Sequence, residues 1–128
     1  MATGFPASTG DVLSAAMFNG LVTFTINAQS GATYTVANTD LYQALVQTTN
    51  ASTKTVTIAP DSTLTAAAVG SAITFLNTGA GDLTFAAGSG VTITSAGATS
   101  AAPKLGQYKS AVAIRTGANA WTIVGAIS

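Results

Sequence analysis

The sequence contains no cysteine, no histidine and no glutamate, and each absence removes a class of chemistry. Without cysteine there is no disulfide framework, no thiolate nucleophile and no indication of redox compartment. Without histidine, nucleophilic catalysis of the Ser-His-Asp or Cys-His kind is closed, and zinc loses both of its usual ligand types. Acid–base work would fall to the four aspartates, Asp11, Asp40, Asp61 and Asp82. Each stands among turn-forming residues, and Asp61-Ser62-Thr63 is not the Asp-Thr/Ser-Gly run of aspartic proteases, so caps and turns are their expected roles. A calcium loop needs several oxygens at close spacing, and Asn38 with Asp40 is the nearest approach. These residues describe a chain that is not an enzyme and has no cofactor and no metal.

Charge is equally scarce. Lys54, Lys104, Lys109 and Arg115 balance the four aspartates, leaving a net charge of zero and a charged fraction of 6%, against about 25% in a typical soluble domain. Copies of such a chain lack the usual mutual repulsion and are expected to associate. Four scattered cations make no basic patch, which argues against a nucleic-acid partner. The first twenty residues have no positive segment of the kind that opens a secretory signal. The charge-free run Ser62 to Gly81 is interrupted by Thr, Ser, Asn and Gly and lacks an apolar block, so no membrane span is expected.

Large apolar side chains are few as well. The apolar fraction is 48%, but 26 of the 128 residues are alanine and only 32 are Val, Ile, Leu, Met, Phe or Trp. The length suits one domain with a thin core, and a subunit interface would supplement it.

What is present is strand-like. Met1 to Gly10, with Gly4, Pro6 and Gly10, has the composition of an extended arm. Asp11 to Leu21 is the one helical signal: Asp11 can cap it, Leu13, Ala16, Met17 and Leu21 share a face, and Gly20 suits its end. Beyond Leu21 an apolar-Thr-apolar triplet recurs: Val22-Thr23-Phe24, Tyr34-Thr35-Val36, Val56-Thr57-Ile58, Ile73-Thr74-Phe75, Leu83-Thr84-Phe85, Val91-Thr92-Ile93 and Trp121-Thr122-Ile123. β-Branched and aromatic residues at period two describe half-buried strands. Their uneven spacing reads as a set of strands in one domain and not as a solenoid of fixed repeat. Asn77 to Asp82 and Ala86 to Gly90 read as hairpin loops joining three triplets into a meander, and Thr116 to Ala120 as the turn of a closing hairpin. The glycines at 79, 81, 88 and 90 are turn glycines, since strands follow them where a phosphate loop needs a helix. Trp121, Tyr34, Tyr42 and Tyr108 could form a sugar-stacking platform, although Trp121, opening an alternating strand, reads first as core. The expected fold is all-β: a small antiparallel β-sandwich or barrel over residues 22–128, preceded by an arm and short helix over residues 1–21.

From about Tyr34 onward the chain resembles a small β-domain of tailed-bacteriophage virion proteins, found in capsid decoration (cement) proteins and in tail-fibre or appendage modules. The likeness is carried by Thr55 to Ser62, by Val69-Gly70-Ser71-Ala72-Ile73-Thr74-Phe75-Leu76-Asn77-Thr78-Gly79-Ala80-Gly81-Asp82-Leu83-Thr84-Phe85, by Ala86 to Ile93, by Gly106-Gln107-Tyr108-Lys109-Ser110-Ala111 and by Trp121 to Gly125. It covers about three quarters of the chain, lies more in the order of the motifs than in any one of them, and departs at Ala66-Ala67-Ala68. It implies a β-sandwich subunit, commonly a homotrimer, with no catalytic residues to carry over. A chain running from Met1 to the end of the domain, without the long stalk of a fibre, suits capsid decoration. The expected partners are then copies of itself and the major capsid protein, at the outer surface of the capsid. Phe5, Val12, Leu13, Met17 and Phe18 are the candidate attachment residues, through an extended N-terminus lying along a neighbour. The alternative is a receptor- or glycan-binding domain of a tail appendage.

Overall fold

The computed structural model describes residues 24–41 and 44–128. The arm and helix expected over residues 1–21, with Phe5, Val12, Leu13, Met17 and Phe18, lie outside the described residues, as does Tyr42.

The fold is all-β. Among the described residues ten strands follow one another: β1 (Thr25–Gln29), β2 (Thr33–Thr35), β3 (Ala44–Thr48), β4 (Lys54–Ile58), β5 (Ala72–Asn77), β6 (Leu83–Ala87), β7 (Thr92–Ser95), β8 (Lys104–Leu105), β9 (Lys109–Gly117) and β10 (Ala120–Gly125). The only helix among the described residues is one 3-10 turn, Asn38–Asp40, so none is long and apolar enough to cross a membrane. The triplets explain the strands. In β4, β5, β6 and β10 the apolar members Val56 and Ile58, Ile73 and Phe75, Leu83 and Phe85, Trp121 and Ile123 are buried, while the threonine between them faces outward.

The pairing of the strands corrects the antiparallel expectation. One sheet has six strands in the order β1-β3-β5-β9-β10-β7, the other four in the order β2-β4-β6-β8. Five pairings are parallel: β1 with β3, β3 with β5, β2 with β4, β4 with β6, and β7 with β10. Antiparallel pairing is confined to β5 with β9, β9 with β10, and β6 with β8. Up to β6 the chain alternates between sheets, so that β1-β2, β3-β4 and β5-β6 are three stacked turns of one coil. The meander expected over Ile73 to Ile93 is therefore not formed, because each of its strands crosses to the opposite sheet. The coil has no fixed repeat: register partners lie 19 residues apart at Thr25 and Ala44, 22 at Thr33 and Thr55, and 29 at both Leu45–Thr74 and Lys54–Leu83. The turns are stacked, but their lengths differ.

Burial decides between a hairpin and a corner. A hairpin would put Phe75 and Phe85 side by side on one sheet; the corner at Thr78–Asp82 instead sets them on opposite sheets, meeting edge to face across the core with ring centroids 4.9 Å apart at 77°. Residues of both sheets form one core cluster, including Val46, Ile73, Phe75, Trp121 and Ile123 from the first and Val56, Ile58, Leu83, Phe85 and Leu105 from the second. Successive corners lie in backbone contact. A Cβ at Gly79 would stand 2.2 Å from the Asn50 carbonyl oxygen, and one at Gly81 1.9 Å from that of Ser52. Buried Asn77 ties these layers together, donating to the carbonyls of Gly81 and Leu105, both at 2.9 Å, and accepting from the Thr48 hydroxyl at 3.0 Å.

The closing hairpin forms as the sequence implies, with β9 and β10 joined through Asn119 in a left-handed conformation (φ 50°). On β9 the buried residues are Ala111 and Ala113, small enough to leave room for Trp121 on β10, which is 1% exposed. Residues 59–71 form no strand. They are held by turns such as Thr63 and Leu64 donating to the Pro60 carbonyl, and the alanines at 66–68 belong to this connection.

Candidate interaction surfaces

The charged and polar groups that sequence reasoning weighed for chemistry are mostly engaged in structure. Asp40 is buried, and its carboxylate accepts from the Asn27 amide at 2.9 Å, the Tyr34 hydroxyl at 2.5 Å and the Ala37 backbone N–H at 2.9 Å. Burial first, and then this bond to Asp40, push the Tyr34 hydroxyl's pKa well above its ordinary value. Asn38 does not join Asp40 in a cation site; its side chain bonds Thr65 and the Ala66 backbone instead. Among the described residues no group of three or more acidic, His or Cys side chains could hold a metal ion.

Asp61 works as a clamp. Arg115 donates to both its oxygens, at 3.2 and 2.7 Å, and the Asn119 N–H adds a bond at 2.9 Å, so the carboxyl is held below the usual carboxylate range. The Asn119 side chain in return accepts from the Asp61 N–H at 2.8 Å. Together they fasten the β9–β10 turn to the connection 59–71. Lys54 is the opposite case. It lies inward at the start of β4, buried, with its ammonium donating to the Gly31 carbonyl, and burial lowers its pKa. Its place was legible in the alternation Lys54-Thr55-Val56-Thr57-Ile58, which puts the lysine on the side of two core residues.

With those groups accounted for, the surfaces carry the interest. The outer face of the six-stranded sheet holds no ionisable side chain on its described strands. Register aligns Ile26, Leu45, Thr74, Val112 and Val124 in one row across five strands, with Ala72, Ile114, Thr122 and Thr94 in a second. Ile26 is 58% and Val124 46% exposed, and the row ends at a shallow apolar hollow lined by Ala96, Thr122, Val124 and Ile127. The outer face of the four-stranded sheet differs: Thr33, Thr55 and Thr84 align with Lys104, and Thr35 and Thr57 with Ala86.

The aromatic residues considered as a platform are separated. Trp121 belongs to the core, where its indole N–H has no hydrogen-bond partner among the described residues, and Tyr34 is committed to Asp40. Among the described members of that set Tyr108 is the exposed one, at 75%, at the corner between β8 and β9, with a positive φ of 60°.

The chain matches no protein-family model, no curated protein and no solved structure. Its function must therefore be argued from the surfaces themselves.

Proposed function

We propose that this chain is a structural subunit of a tailed-phage particle, a capsid decoration (cement) protein acting as a homotrimer that clamps the major capsid subunits from outside. The observation that carries the assembly reading is the outer face of the six-stranded sheet: uncharged, with Ile26 and Val124 standing clear of it. An uncharged row crossing five strands, apolar on all but β5, gains by being covered, and nothing on it repels a second copy. Five spacings of ~4.8 Å by five residues of ~3.3 Å make a face of roughly 400 Å² in plan. That is below the ~800 Å² per partner of a standard interface, so contacts by residues 1–21 add to it in this reading. The phage assignment rests on the order of motifs from Thr55 to Gly125. Three modest contacts held by one trimer bind a shell with high effective concentration and need no single tight site.

Light-scattering mass measurement of the purified protein is expected to give a trimer, and Val124→Lys to give a folded monomer. On empty capsids, binding should saturate in multiples of three, and removal of residues 1–10 should release the protein while leaving it folded. A stable wild-type monomer that binds no particle sinks this reading. The second reading, a receptor-binding domain of an appendage, is favoured by the exposed Tyr108.

A further inference from the structure

We propose that the corner Gly106–Lys109 is a saccharide-binding tip, with Tyr108 as its stacking platform and Lys109 selecting a sugar that bears a carboxylate. This deepens the receptor-binding reading and does not depend on decoration of the capsid.

Two independent observations converge on Tyr108. The residue is 75% exposed, so packing does not hold it there. Its φ of 60° is a conformation that a bulky side chain occupies at a cost of ~1–2 kcal/mol and that glycine adopts freely. A residue kept in a strained position without packing in return points to a role outside the fold. The backbone explains how the strain is imposed: the Tyr108 N–H donates to the Asn77 carbonyl at 2.5 Å and the Lys109 N–H to the Gly106 carbonyl at 3.3 Å, closing a tight corner on the stack below.

The surroundings select the ligand. Gln107 donates to the Thr78 carbonyl at 3.2 Å, and its own carbonyl oxygen has no partner among the described residues. The Lys109 side chain lies along Gly106, with its stem and ammonium 3.7–3.9 Å from where a Cβ would be, and it has no carboxylate partner among the described residues. A protein hot spot needs a water-excluding ring of contacts around its aromatic anchor; here the residues next to it in the chain, Gln107 and Lys109, are polar, and Gly106 has no side chain. One flat ring flanked by an amide and an ammonium instead fits one sugar: its C–H face on the tyrosine, a hydroxyl on Gln107, a carboxylate on Lys109. Such a contact is weak singly and is strengthened by repetition over several copies on one particle.

The test uses the full chain, titrated by NMR or calorimetry with a uronic-acid oligosaccharide and a neutral hexose oligosaccharide of equal length. Wild type should bind both, the uronate more tightly. Tyr108→Ala should weaken both by about tenfold or more, the usual loss on truncating an aromatic anchor, and Tyr108→Phe should bind as wild type. Lys109→Gln should erase the uronate preference. Tyr108→Gly should unfold at a higher temperature than wild type, because strain is relieved and little packing is lost. Capsid occupancy of these variants should be unaffected, which separates this site from the decoration reading. No saccharide binding by wild type, undiminished binding by Tyr108→Ala, a lower melting temperature for Tyr108→Gly, or loss of capsid occupancy alone would each overturn the proposal.

Discussion

Replacing Gly81 by alanine tests the stacked corners directly, because the two ways of folding the Thr78–Asp82 segment give effects of opposite sign. Gly81 does not have a positive φ, so at the tip of an antiparallel hairpin alanine would be accommodated and would stabilise by ~0.4–1 kcal/mol through the unfolded chain. In the coil, its Cβ would stand 1.9 Å from the Ser52 carbonyl oxygen and 2.1 Å from the carbonyl carbon. Those atoms are backbone and cannot rotate away. The layers must part, and the bond from the Gly81 N–H to the Asn50 carbonyl, 3.2 Å long, goes with them. Overpacking at ~1–3 kcal/mol and a lost hydrogen bond at ~1 kcal/mol give a destabilisation of about 2–4 kcal/mol. At roughly 4 °C per kcal/mol, the melting temperature falls by about 8–16 °C. Gly106→Ala is the control: its nearest contact would be the flexible Lys109 side chain at 3.7 Å, and its change should stay within ~0.5 kcal/mol. Urea and thermal unfolding of the three proteins decide the matter. Should Gly81→Ala prove as stable as wild type, the parallel stacking of these turns is wrong.

Phe75→Ala should cost ~3–5 kcal/mol in urea unfolding, and the double variant with Phe85→Ala should cost less than the sum, since the two rings touch across the core. Lys54→Met should stabilise the protein near neutral pH by about 1–2 kcal/mol, because a buried ammonium with only a carbonyl partner is exchanged for an apolar chain of similar length. Lys54 also sets a pH dependence: its folded pKa lies below 10.5, so wild-type stability should climb as pH rises from the folded value toward the unfolded one, and Lys54→Met should lack that climb. Tyr34 acts in the other direction, because its raised pKa contributes stability that is present below 10.0 and is lost as pH rises beyond it; chemical unfolding between pH 7 and 11 resolves both. On the acid side, Asp61 contributes stability above its unfolded pKa that disappears as pH falls through its lower folded one, and Asp61→Asn should flatten that limb of the stability curve.

The alternation of the sequence carried the faces of the strands but not their partners. Val56 and Ile58, or Ile73 and Phe75, point inward for the same reason in an antiparallel meander and in a coil, since period two records only which side is buried. The loop Thr78-Gly79-Ala80-Gly81-Asp82 is equally ambiguous: glycines that look like turn formers are there because a neighbouring corner leaves no room for Cβ, a fact of tertiary contact and not of local conformation. The β9–β10 hairpin was legible because a short loop with Asn119 joins two long alternating runs. Trp121 was legible as core for the same reason. Tyr108 was visible only as an aromatic residue, since neither its exposure nor its positive φ has a signature in Gln107-Tyr108-Lys109. The attachment residues Phe5, Val12, Leu13, Met17 and Phe18 lie outside the described residues.

The two sides of the coil are built to different tolerances. On one side the links between sheets are short and locked: Ser30–Ala32, Thr49–Thr53 and Thr78–Asp82. On the other they span positions 36–43, 59–71 and 88–91, with no common length. The locked side keeps the strands in step, while the opposite side differs in length from turn to turn and sends Val36, Leu41 and Leu64 into the core. Val69, 70% exposed within the longest of these links, marks a place where a foreign peptide could be spliced in clear of the buried residues.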